Sequence, residues 1–290
     1  MNKIKVQIQQ SIHAARHYYA NFRVYDLASY TLNRLTPRQG YEVETQLAYG
    51  LKARQRFDLF KSNQPKSHRP LIVFVHGGAW LHGDKKDYFF IGEAFAKEGY
   101  DVVVMNYHLA PEHIFPASVD DLHVLLNYLQ HSEKKHDISI DNIVLMGHSA
   151  GAFNVMSSMY YPSTTGIKPE IQIRGIIGLA GPYHFDYKDD PICADAFDQS
   201  VPYQQVMPYY FVEHRQTKHY LVVAEKDTIV GHYNSHDLDR VLKEYGNHSQ
   251  LLVVPKLGHI TLIGSLSSLF SKYFSTKEKV LWALDDVFKS

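Results

Sequence analysis

Ser149 is the residue whose neighbours best suit it to act as a nucleophile. It lies at the centre of a Gly-His-Ser-Ala-Gly motif at positions 147–151. An apolar run ends at Met146 and a helix-compatible stretch follows, so this serine falls where a strand turns sharply into a helix. Two glycines in such a turn permit a strained backbone that lifts the serine hydroxyl clear of the sheet. The motif predicts a nucleophile elbow, with an ordinary strand-to-helix turn as the alternative.

A serine hydroxyl is a poor nucleophile at neutral pH, so it needs a base to take its proton and an acid to orient that base. Two later loops provide candidates: Asp227 follows the apolar run 220–224, and His259 follows the run 251–254. Serine, acid and histidine therefore occur in the order seen in hydrolases of the G-x-S-x-G type. The sequence predicts Ser149 as nucleophile, His259 as general base and Asp227 as the acid that stabilises the imidazolium.

Both partners have competitors. The chain has 18 histidines, and His259 is preferred because it alone follows the last predicted strand at its carboxyl end. His76 and His148 flank the candidate loops, where we expect packing or hydrogen-bonding roles. Glu225 is the rival acid, and Asp227 is favoured because a shorter carboxylate farther into the loop suits reaching back to a histidine.

Backbone amides after an earlier strand are candidates for stabilising a developing negative charge. The apolar run 71–75 is followed by His-Gly-Gly-Ala-Trp, in which Gly77 and Gly78 free backbone N–H groups to point into a cavity. Together with the N–H of Ala150, they would form an oxyanion hole for a tetrahedral intermediate. A tight turn is the alternative for the glycine pair alone, and the downstream elbow favours the oxyanion hole. The sequence leaves open which amide after His76 lies closest to the substrate oxygen.

The elements that must position these residues alternate along the chain. Apolar runs without polar alternation suit strands buried on both faces, and their alternation with helices predicts an α/β fold with a mostly parallel sheet covered on both sides. We expect one domain over residues 1–290. The predicted strands cover 41–49, 55–60, 71–75, 102–105, 143–146, 176–179, 220–224 and 251–254, the first two entering the sheet antiparallel. The predicted helices cover about 87–98, 117–131, 150–161, 233–245 and 262–288.

Two segments depart from this alternation. Residues 1–36 carry apolar and aromatic side chains at helical spacing without Gly or Pro, which predicts one or two N-terminal helices. Residues 182–218 are rich in Tyr, Phe, Asp and Pro without a clean period, which predicts an inserted lid or cap. Its aromatic side chains either line an acyl or aryl pocket or pack the lid onto the sheet.

Composition narrows the partners to small molecules. Lys and Arg number 30 and Asp and Glu number 30, so nothing recommends nucleic acid or a membrane surface as a partner. The single cysteine, Cys193, excludes an internal disulfide and Cys-based zinc motifs, and the histidines lack metal-ligand spacing. Residues 1–10 lack the apolar core of a signal peptide and no stretch is long enough to span a bilayer, so we expect a cytoplasmic protein without a cofactor.

Several motifs in fixed order resemble the α/β-hydrolase superfamily over about residues 40–265. More narrowly, the chain resembles the esterase group that includes hormone-sensitive-lipase-like carboxylesterases, bacterial feruloyl-esterase-like carboxylesterases and kynurenine formamidases. Ala79 stands where lipase-like enzymes carry a third glycine. The resemblance implies an α/β-hydrolase fold, a Ser149, Asp227 and His259 triad, and oxyanion donors at Gly77, Gly78 and Ala150. The motifs that carry it are His-Gly-Gly-Ala-Trp at 76–80, Gly-Asp-Lys at 83–85, the segment 107–117, the elbow, the segment 178–183 and Gly-His-Ile at 258–260.

Motif order and resemblance together favour a serine carboxylesterase that acts on small or aryl esters through an acyl-enzyme intermediate. A formamide or amide hydrolase of the kynurenine-formamidase kind is the alternative, since the same triad cleaves N-formyl bonds. The fold also serves in ligand-binding proteins without catalysis, but those normally carry a damaged triad. Here all three positions are filled. The physiological ester and the oligomeric state are not encoded in any pattern of the sequence.

Overall fold

A computed structural model describes residues 29–167 and 169–289. Eight strands form one sheet in the order β1-β2-β4-β3-β5-β6-β7-β8, and β2 pairs antiparallel with both neighbours while β3 to β8 pair in parallel. This confirms the predicted mostly parallel sheet. The strands are β1 (Tyr41–Ala48), β2 (Arg56–Ser62), β3 (Leu71–Val75), β4 (Asp101–Met105), β5 (Ile143–His148), β6 (Ile173–Leu179), β7 (Lys218–Ala224) and β8 (Ser249–Val254).

Helices cover both faces of the sheet. Alternate side chains of β3 point to opposite faces: Ile72 packs in the core with α2, α6 and α7, and Val73 packs in the core with α3, α4 and α5. Strands buried on both faces explain the unbroken apolar runs of the sequence. Helix α1 covers residues 29–35, followed by α2 (Phe89–Ala96), α3 (Ala117–His136), α4 (Ala150–Tyr160), α5 (Tyr233–Glu244), α6 (His259–Gly264) and α7 (Thr276–Val287).

The strand order decides where the site is built. The chain passes from β3 to β4 on one side and returns to β5 on the other, so β3 and β5 are neighbours and their carboxyl ends meet. Such a reversal of strand order opens a crevice beyond the carboxyl ends, where ligands of α/β proteins bind. The loop after β3 and the turn after β5 therefore face each other across this crevice.

The predicted single helix over 262–288 is wrong. The chain forms α6 and α7 with a short 3₁₀ turn at Ser271–Tyr273 between them. Serine hydroxyls compete with helical hydrogen bonding in this stretch: Ser265 Oγ lies 2.6 Å from the Leu262 carbonyl oxygen and 2.6 Å from Thr276 Oγ1. Elsewhere the boundaries shift modestly, with α3 ending at His136 rather than near 131.

The other two predicted segments are partly described. Residues 29–35 are helical, and the rest of the predicted N-terminal helical region, 1–28, lies outside the described residues. Between β6 and β7 the chain forms neither a strand nor an α-helix, and β7 already begins at Lys218. This β6–β7 segment contains three 3₁₀ turns, at Ala194–Ala196, Tyr203–Gln205 and Pro208–Phe211. Within the described part of the chain, no helix is both long and apolar enough to cross a membrane.

Two leucines test the assignment of the core. Leu125 on α3 is fully buried in the α3–α4–α5 core, whereas Leu51 in the β1–β2 turn is fully exposed. We expect Leu125→Ala to lower the free energy of unfolding by about 2–5 kcal/mol, because it leaves a cavity in a packed core. Leu51→Ala is the matched control and should change it by less than about 0.5 kcal/mol. Urea denaturation followed by circular dichroism measures both, and equal effects would contradict the assigned burial.

Candidate active site

Ser149 occupies a strained turn between β5 and α4. Its backbone has φ 54° and ψ −122°, a positive-φ conformation that residues other than glycine rarely adopt. The turn is held by the Ser149 N–H, which donates to the Leu179 carbonyl oxygen at 2.9 Å, and by the Ser149 carbonyl, which accepts from the Ala152 N–H at 2.9 Å. Ser149 thus lies on a strained turn from strand to helix, which is the setting that the predicted elbow requires.

The flanking glycines are there because neighbouring backbone leaves no room for a side chain. A Cβ atom at Gly147 would lie 2.2 Å from the Gly151 carbonyl oxygen, and one at Gly151 would lie 2.0 Å from the Val75 carbonyl oxygen. Real Cβ atoms do not approach backbone oxygen this closely, so either substitution would push α4 away from the sheet. The G-x-S-x-G spacing thus brings α4 against the end of β3.

His259 and Asp227 meet at the other side of the crevice. His259 is the first residue of α6, and its Nδ1 lies 2.8 Å from Asp227 Oδ2, with side-chain exposures of 6% and 2%. Asp227 Oδ1 accepts two more hydrogen bonds, from the N–H groups of Ile229 and Val230, both at 2.9 Å. With an ionised carboxylate as its partner, Nδ1 carries the hydrogen, and the lone pair of Nε2 is free to accept a proton.

The environment keeps Asp227 ionised. Burial by itself raises the pKa of Asp227, but the hydrogen bond and charge of His259 and the two backbone N–H groups outweigh burial and hold that pKa below its ordinary value. The rival acid points elsewhere: Glu225 is exposed, and its Oε2 accepts from the Lys256 N–H at 2.7 Å. The structure therefore brings Asp227, and not Glu225, to His259.

His148 forms a hydrogen bond with the backbone of the candidate base, His259. Its Nε2 lies 3.2 Å from the His259 carbonyl oxygen, and the two rings are 4.9 Å apart. Burial, and then the neighbouring His259, lower the pKa of His148 to about 3, so its imidazole is neutral at physiological pH. Because a carbonyl oxygen only accepts, Nε2 carries the hydrogen. The hydrogen-bonding role expected for His148 is thus observed, and its target is the first backbone carbonyl of α6.

The loop after β3 packs directly on the elbow. A Cβ atom at Gly77 would lie 3.1 Å from Ser149 Cβ, so the Gly77 backbone touches the serine. Gly78 has φ +125° and closes a tight turn through its carbonyl, which accepts from the His82 N–H at 3.0 Å. The backbone after His76 thus forms the tight turn that was one of the two predictions for the glycine pair, and Gly78 also lines the cavity.

The residues that line the cavity differ from the predicted oxyanion donors at two positions, Gly77 and Ala79. Gly78 and Ala150 line the cavity, Gly77 is not among its lining residues, and Ala79 joins the lining with a left-handed φ of 50°. In the sequence, Ala79 stands out only as the residue that replaces a third glycine. That position, directly after the glycine pair, was the available signal for a third candidate amide.

A buried polar network holds this loop in place. Lys85 Nζ forms an ion pair with Asp58 Oδ1 at 2.6 Å, with side-chain exposures of 1% and 8%. The Lys85 N–H donates to Asn106 Oδ1 at 2.6 Å, and Asn106 Nδ2 donates to Asp84 Oδ2 at 3.1 Å. These contacts give the Gly-Asp-Lys motif a structural role. Sequence reasoning missed Asp58, although an aspartate inside a β-rich run, where this residue is depleted, was a signal.

A second anchor fixes the indole of the same loop. Trp80 Nε1 donates to Asn154 Oδ1 at 2.9 Å, and Ser118 Oγ donates to the same oxygen at 3.0 Å. The Trp80 ring makes edge contacts with Phe153 and Phe197. Because Asn154 belongs to α4 and Phe197 to the β6–β7 segment, this tryptophan ties the loop, the elbow helix and that segment together.

The crevice is a cavity of about 170 Å³ that both Ser149 and His259 line. Eight aromatic residues of the β6–β7 segment were candidates for its wall, and Phe185 is the one of them that lines the cavity. The other seven pack elsewhere: Tyr183, Tyr187, Phe197, Tyr203, Tyr209, Tyr210 and Phe211. Packing of the segment is thus the main role of these rings. Among residues 29–167 and 169–289, no group of three or more His, Cys, Asp or Glu side chains is arranged to hold a metal ion.

Comparison with known proteins places the chain in a family. The BD-FAE family model matches residues 57–242, which is more than half of the chain. The chain belongs to the BD-FAE family. The matched range of this BD-FAE chain runs from β2 into α5 and contains Ser149 and Asp227, whereas His259 follows it. The predicted relation to α/β-hydrolase esterases and formamidases is confirmed.

Individual relatives share low sequence identity with this chain, and the length of the match varies from one relative to another. Kynurenine formamidase from Drosophila melanogaster is 25% identical over 238 residues, which cover 79% of this chain and 78% of that protein. Isoprenylcysteine alpha-carbonyl methylesterase from Arabidopsis thaliana is 28% identical over 149 residues, 49% of this chain and 35% of that protein. Esterase B from Lactobacillus rhamnosis superposes with a TM-score of 0.76 at 17% identity, covering 97% of this chain and 96% of that chain. At that identity the superposition shows a shared fold.

The depressed pKa of Asp227 has a consequence for stability. A carboxyl group whose pKa is lower in the folded than in the unfolded state stabilises the fold above its unfolded pKa, and this stability is lost as the pH falls through the folded pKa. The unfolded value is about 3.9. We therefore expect wild type to exceed Asp227→Asn in stability near neutral pH and the difference to shrink below about pH 4.

Urea denaturation of both proteins across this pH range measures the difference. Glu225→Gln is the matched control, because its carboxylate is exposed and lies away from His259. A difference between wild type and Asp227→Asn that is independent of pH would contradict an ionised, hydrogen-bonded Asp227.

Proposed function

We propose that this chain is a serine carboxylesterase that hydrolyses small or aryl carboxylic esters. The observation that carries the proposal is the Asp227–His259 hydrogen bond at 2.8 Å, beside a cavity that Ser149 lines on its strained turn. A nucleophile, a base and an orienting acid are the three groups that acyl transfer needs. The proposed roles are nucleophile for Ser149, general base and acid for His259, and electrostatic support for Asp227.

In the first half of the proposed reaction, His259 Nε2 takes the proton of Ser149 as Oγ attacks the ester carbonyl carbon. The carbonyl oxygen becomes an oxyanion, which the N–H groups of Gly77, Gly78 and Ala150 are proposed to stabilise, with that of Ala79 as a further candidate donor. Collapse of this intermediate breaks the bond to the alcohol oxygen, and the His259 imidazolium protonates the departing alcohol. Ser149 is left carrying the acyl group.

In the second half, water repeats the attack. His259 takes a proton from water as the water oxygen bonds to the acyl carbon, and the same amides stabilise the second oxyanion. Collapse returns the proton to Ser149 Oγ and releases the carboxylic acid. Ionised Asp227 stabilises the imidazolium in both halves, and the His148 hydrogen bond to the His259 carbonyl at 3.2 Å fixes the backbone that carries this imidazole.

The size of the cavity supports small acyl or aryl groups. Its volume is about 170 Å³, and an apolar cavity of about 150 Å³ is large enough to bind benzene. Its walls are mostly apolar, as ligand sites usually are. We also propose that the β6–β7 segment caps the site, because Pro182, Phe185 and Ile192 from this segment line the cavity. We further propose that the chain forms one domain, because the cores on the two faces share one sheet.

A formamide hydrolase is the second candidate. The similarity to kynurenine formamidase favours it, because that match covers 79% of this chain. The proposed triad can attack an N-formyl carbonyl by the same steps, with His259 protonating a departing amine. The cavity walls do not separate an aryl ester from an N-formyl aryl amine of similar size.

Removal of triad side chains tests the catalytic proposal. We expect Ser149→Ala and His259→Ala each to lower kcat for a short-chain aryl ester by about 10⁴- to 10⁶-fold, since neither half of the reaction proceeds without the nucleophile or the base. An unchanged melting temperature shows that each variant is folded. Labelling by an organophosphate, followed by mass spectrometry, should modify Ser149 in wild type.

The two acidic candidates provide a matched control. Asp227→Asn removes the charge beside His259, whereas Glu225→Gln removes an exposed charge. Asp227→Asn should therefore lower kcat by about 10⁴-fold, and Glu225→Gln should leave it near wild type. The opposite ranking would transfer the acid role to Glu225, and full activity of Ser149→Ala would contradict Ser149 as the nucleophile.

A paired substrate assay separates the two candidate reactions. We expect kcat/KM for phenyl acetate to exceed that for N-formylaniline, because the alcohol leaving group departs more easily than the amine. Both substrates place an aryl group beside a small acyl group, and phenyl acetate is larger by only one methyl group. A higher kcat/KM for the N-formyl substrate would assign the chain to the formamidase alternative.

A further inference from the structure

One carboxylate in the cavity has no part in the proposed chemistry. Asp190, from the β6–β7 segment, is among the 19 residues that line the cavity, and none of these residues is a lysine or arginine. The other ionisable groups of the wall are accounted for. His148 is buried and neutral, and His259 is bonded to Asp227. Asp190 therefore leaves the cavity with a negative charge that no lining cation offsets.

The position of this carboxylate is fixed by four hydrogen bonds. Asp190 Oδ1 accepts from the N–H groups of Ile192 at 2.8 Å and Cys193 at 3.3 Å. The Asp190 N–H donates to the Tyr187 carbonyl at 3.1 Å, and the Asp190 carbonyl accepts from the Ala194 N–H at 2.9 Å. Ile192 and Cys193 themselves line the cavity. The carboxylate is thus held on a turn that belongs to the cavity wall.

The neighbouring thiol does not compensate the charge. Cys193 is buried, and burial followed by the Asp190 carboxylate raises the pKa of its thiol well above the ordinary value. The thiol stays protonated at neutral pH, so it acts as a neutral hydrogen-bond donor. Only the carboxylate contributes charge on this turn of the wall.

Aromatic rings complete the wall. Trp80, Tyr88, Phe185 and Tyr233 line the same cavity as Asp190. The face of an aromatic ring is electrically negative and attracts ammonium groups, an effect worth more in a desolvated site. One carboxylate, several aromatic side chains and no lining cation complement an ammonium ion and repel a second carboxylate.

We propose that Asp190 determines the specificity of this site by favouring ester substrates that carry an ammonium group and disfavouring substrates that carry a carboxylate. The proposal rests on the esterase function proposed above and names its substrate class. Electrostatic attraction between unit charges a few ångströms apart at an effective dielectric constant near 20 exceeds the roughly 1.4 kcal/mol that corresponds to a tenfold preference, and solvent screening reduces it. We expect a preference of about five- to tenfold.

Two pairs of esters, each matched in shape and differing in charge, test the proposal. The first pair, choline butanoate and 3,3-dimethylbutyl butanoate, places the charge in the alcohol. The second pair, phenyl 4-(trimethylammonio)butanoate and phenyl 5,5-dimethylhexanoate, places it in the acyl group. In wild type, the ratio of kcat/KM for the cationic ester to that for its neutral partner should be about five- to tenfold higher than in Asp190→Asn, for at least one pair. Added salt should reduce the wild-type preference.

Asp186→Asn is the matched control. Asp186 lies on the same segment, is exposed, and accepts a similar turn hydrogen bond from the Lys188 N–H at 3.0 Å, but it does not line the cavity. Its substitution should leave both ratios unchanged. Asn at position 190 keeps an oxygen for the N–H groups of Ile192 and Cys193, so thermal denaturation should show a folded variant. Equal ratios in wild type and Asp190→Asn for both pairs would overturn the proposal while leaving the esterase function intact.

A binding measurement separates this proposal from the catalytic one. Calorimetric titration of Ser149→Ala with the four esters measures charge preference without turnover. If Ser149→Ala binds a cationic ester more tightly than its neutral partner, and Ser149→Ala/Asp190→Asn does not, the role of Asp190 is supported. This holds even if the wild-type protein hydrolyses none of the four esters. The absence of hydrolysis would overturn the esterase function alone. Equal affinities within both pairs would overturn the role of Asp190.

Discussion

The close approach of α4 to the end of β3 is the constraint on which the rest of the site depends. Gly151 has no side chain, so its backbone packs against the Val75 carbonyl, where a Cβ atom would come within 2.0 Å. This contact forces the sharp turn at Ser149, with its φ of 54°. It also brings the loop after β3 beside the serine, since Gly77 fits against Ser149 only as glycine. The strained backbone conformation of Ser149 is therefore maintained by the packing of α4 and of the loop after β3 on the sheet.

Around this turn, the site is assembled from groups that are already oriented before any ligand binds. The Asp227 carboxylate is held by His259 and by two backbone N–H groups, and the backbone of His259 is held by neutral His148. Groups fixed in this way need little reorganisation when charge develops, which is the main advantage of a preorganised site. The same principle applies to Asp190, whose carboxylate is fixed by the turn that it closes.

The loop after β3 is held by a buried ion pair and by side-chain hydrogen bonds. Burying the Lys85–Asp58 ion pair requires removing two charges from water, and such pairs contribute little net stability. The pair, together with Asn106 and the Trp80–Asn154 hydrogen bond, instead fixes the path of the loop from Gly77 to Lys85. We interpret these contacts as devices that hold the backbone amides of the loop at the edge of the cavity.

The sequence by itself determined the succession of strands and helices along the chain. It also determined the turn at Ser149, because apolar periodicity, glycine positions and motif spacing are properties of neighbouring residues. It also predicted that Ser149, Asp227 and His259 lie together, because each follows a strand whose carboxyl end must lie at one edge of a parallel sheet. Only the tertiary structure decided which groups meet there. Four features depend on contacts between segments that are distant in the sequence. They are the position of Ala79 in the cavity wall, the burial of Asp58 against Lys85, the hydrogen bond of His148 to α6, and the break between α6 and α7. Local sequence patterns carry no information on such contacts, because side chains of one segment form hydrogen bonds with the backbone of another segment or change its path.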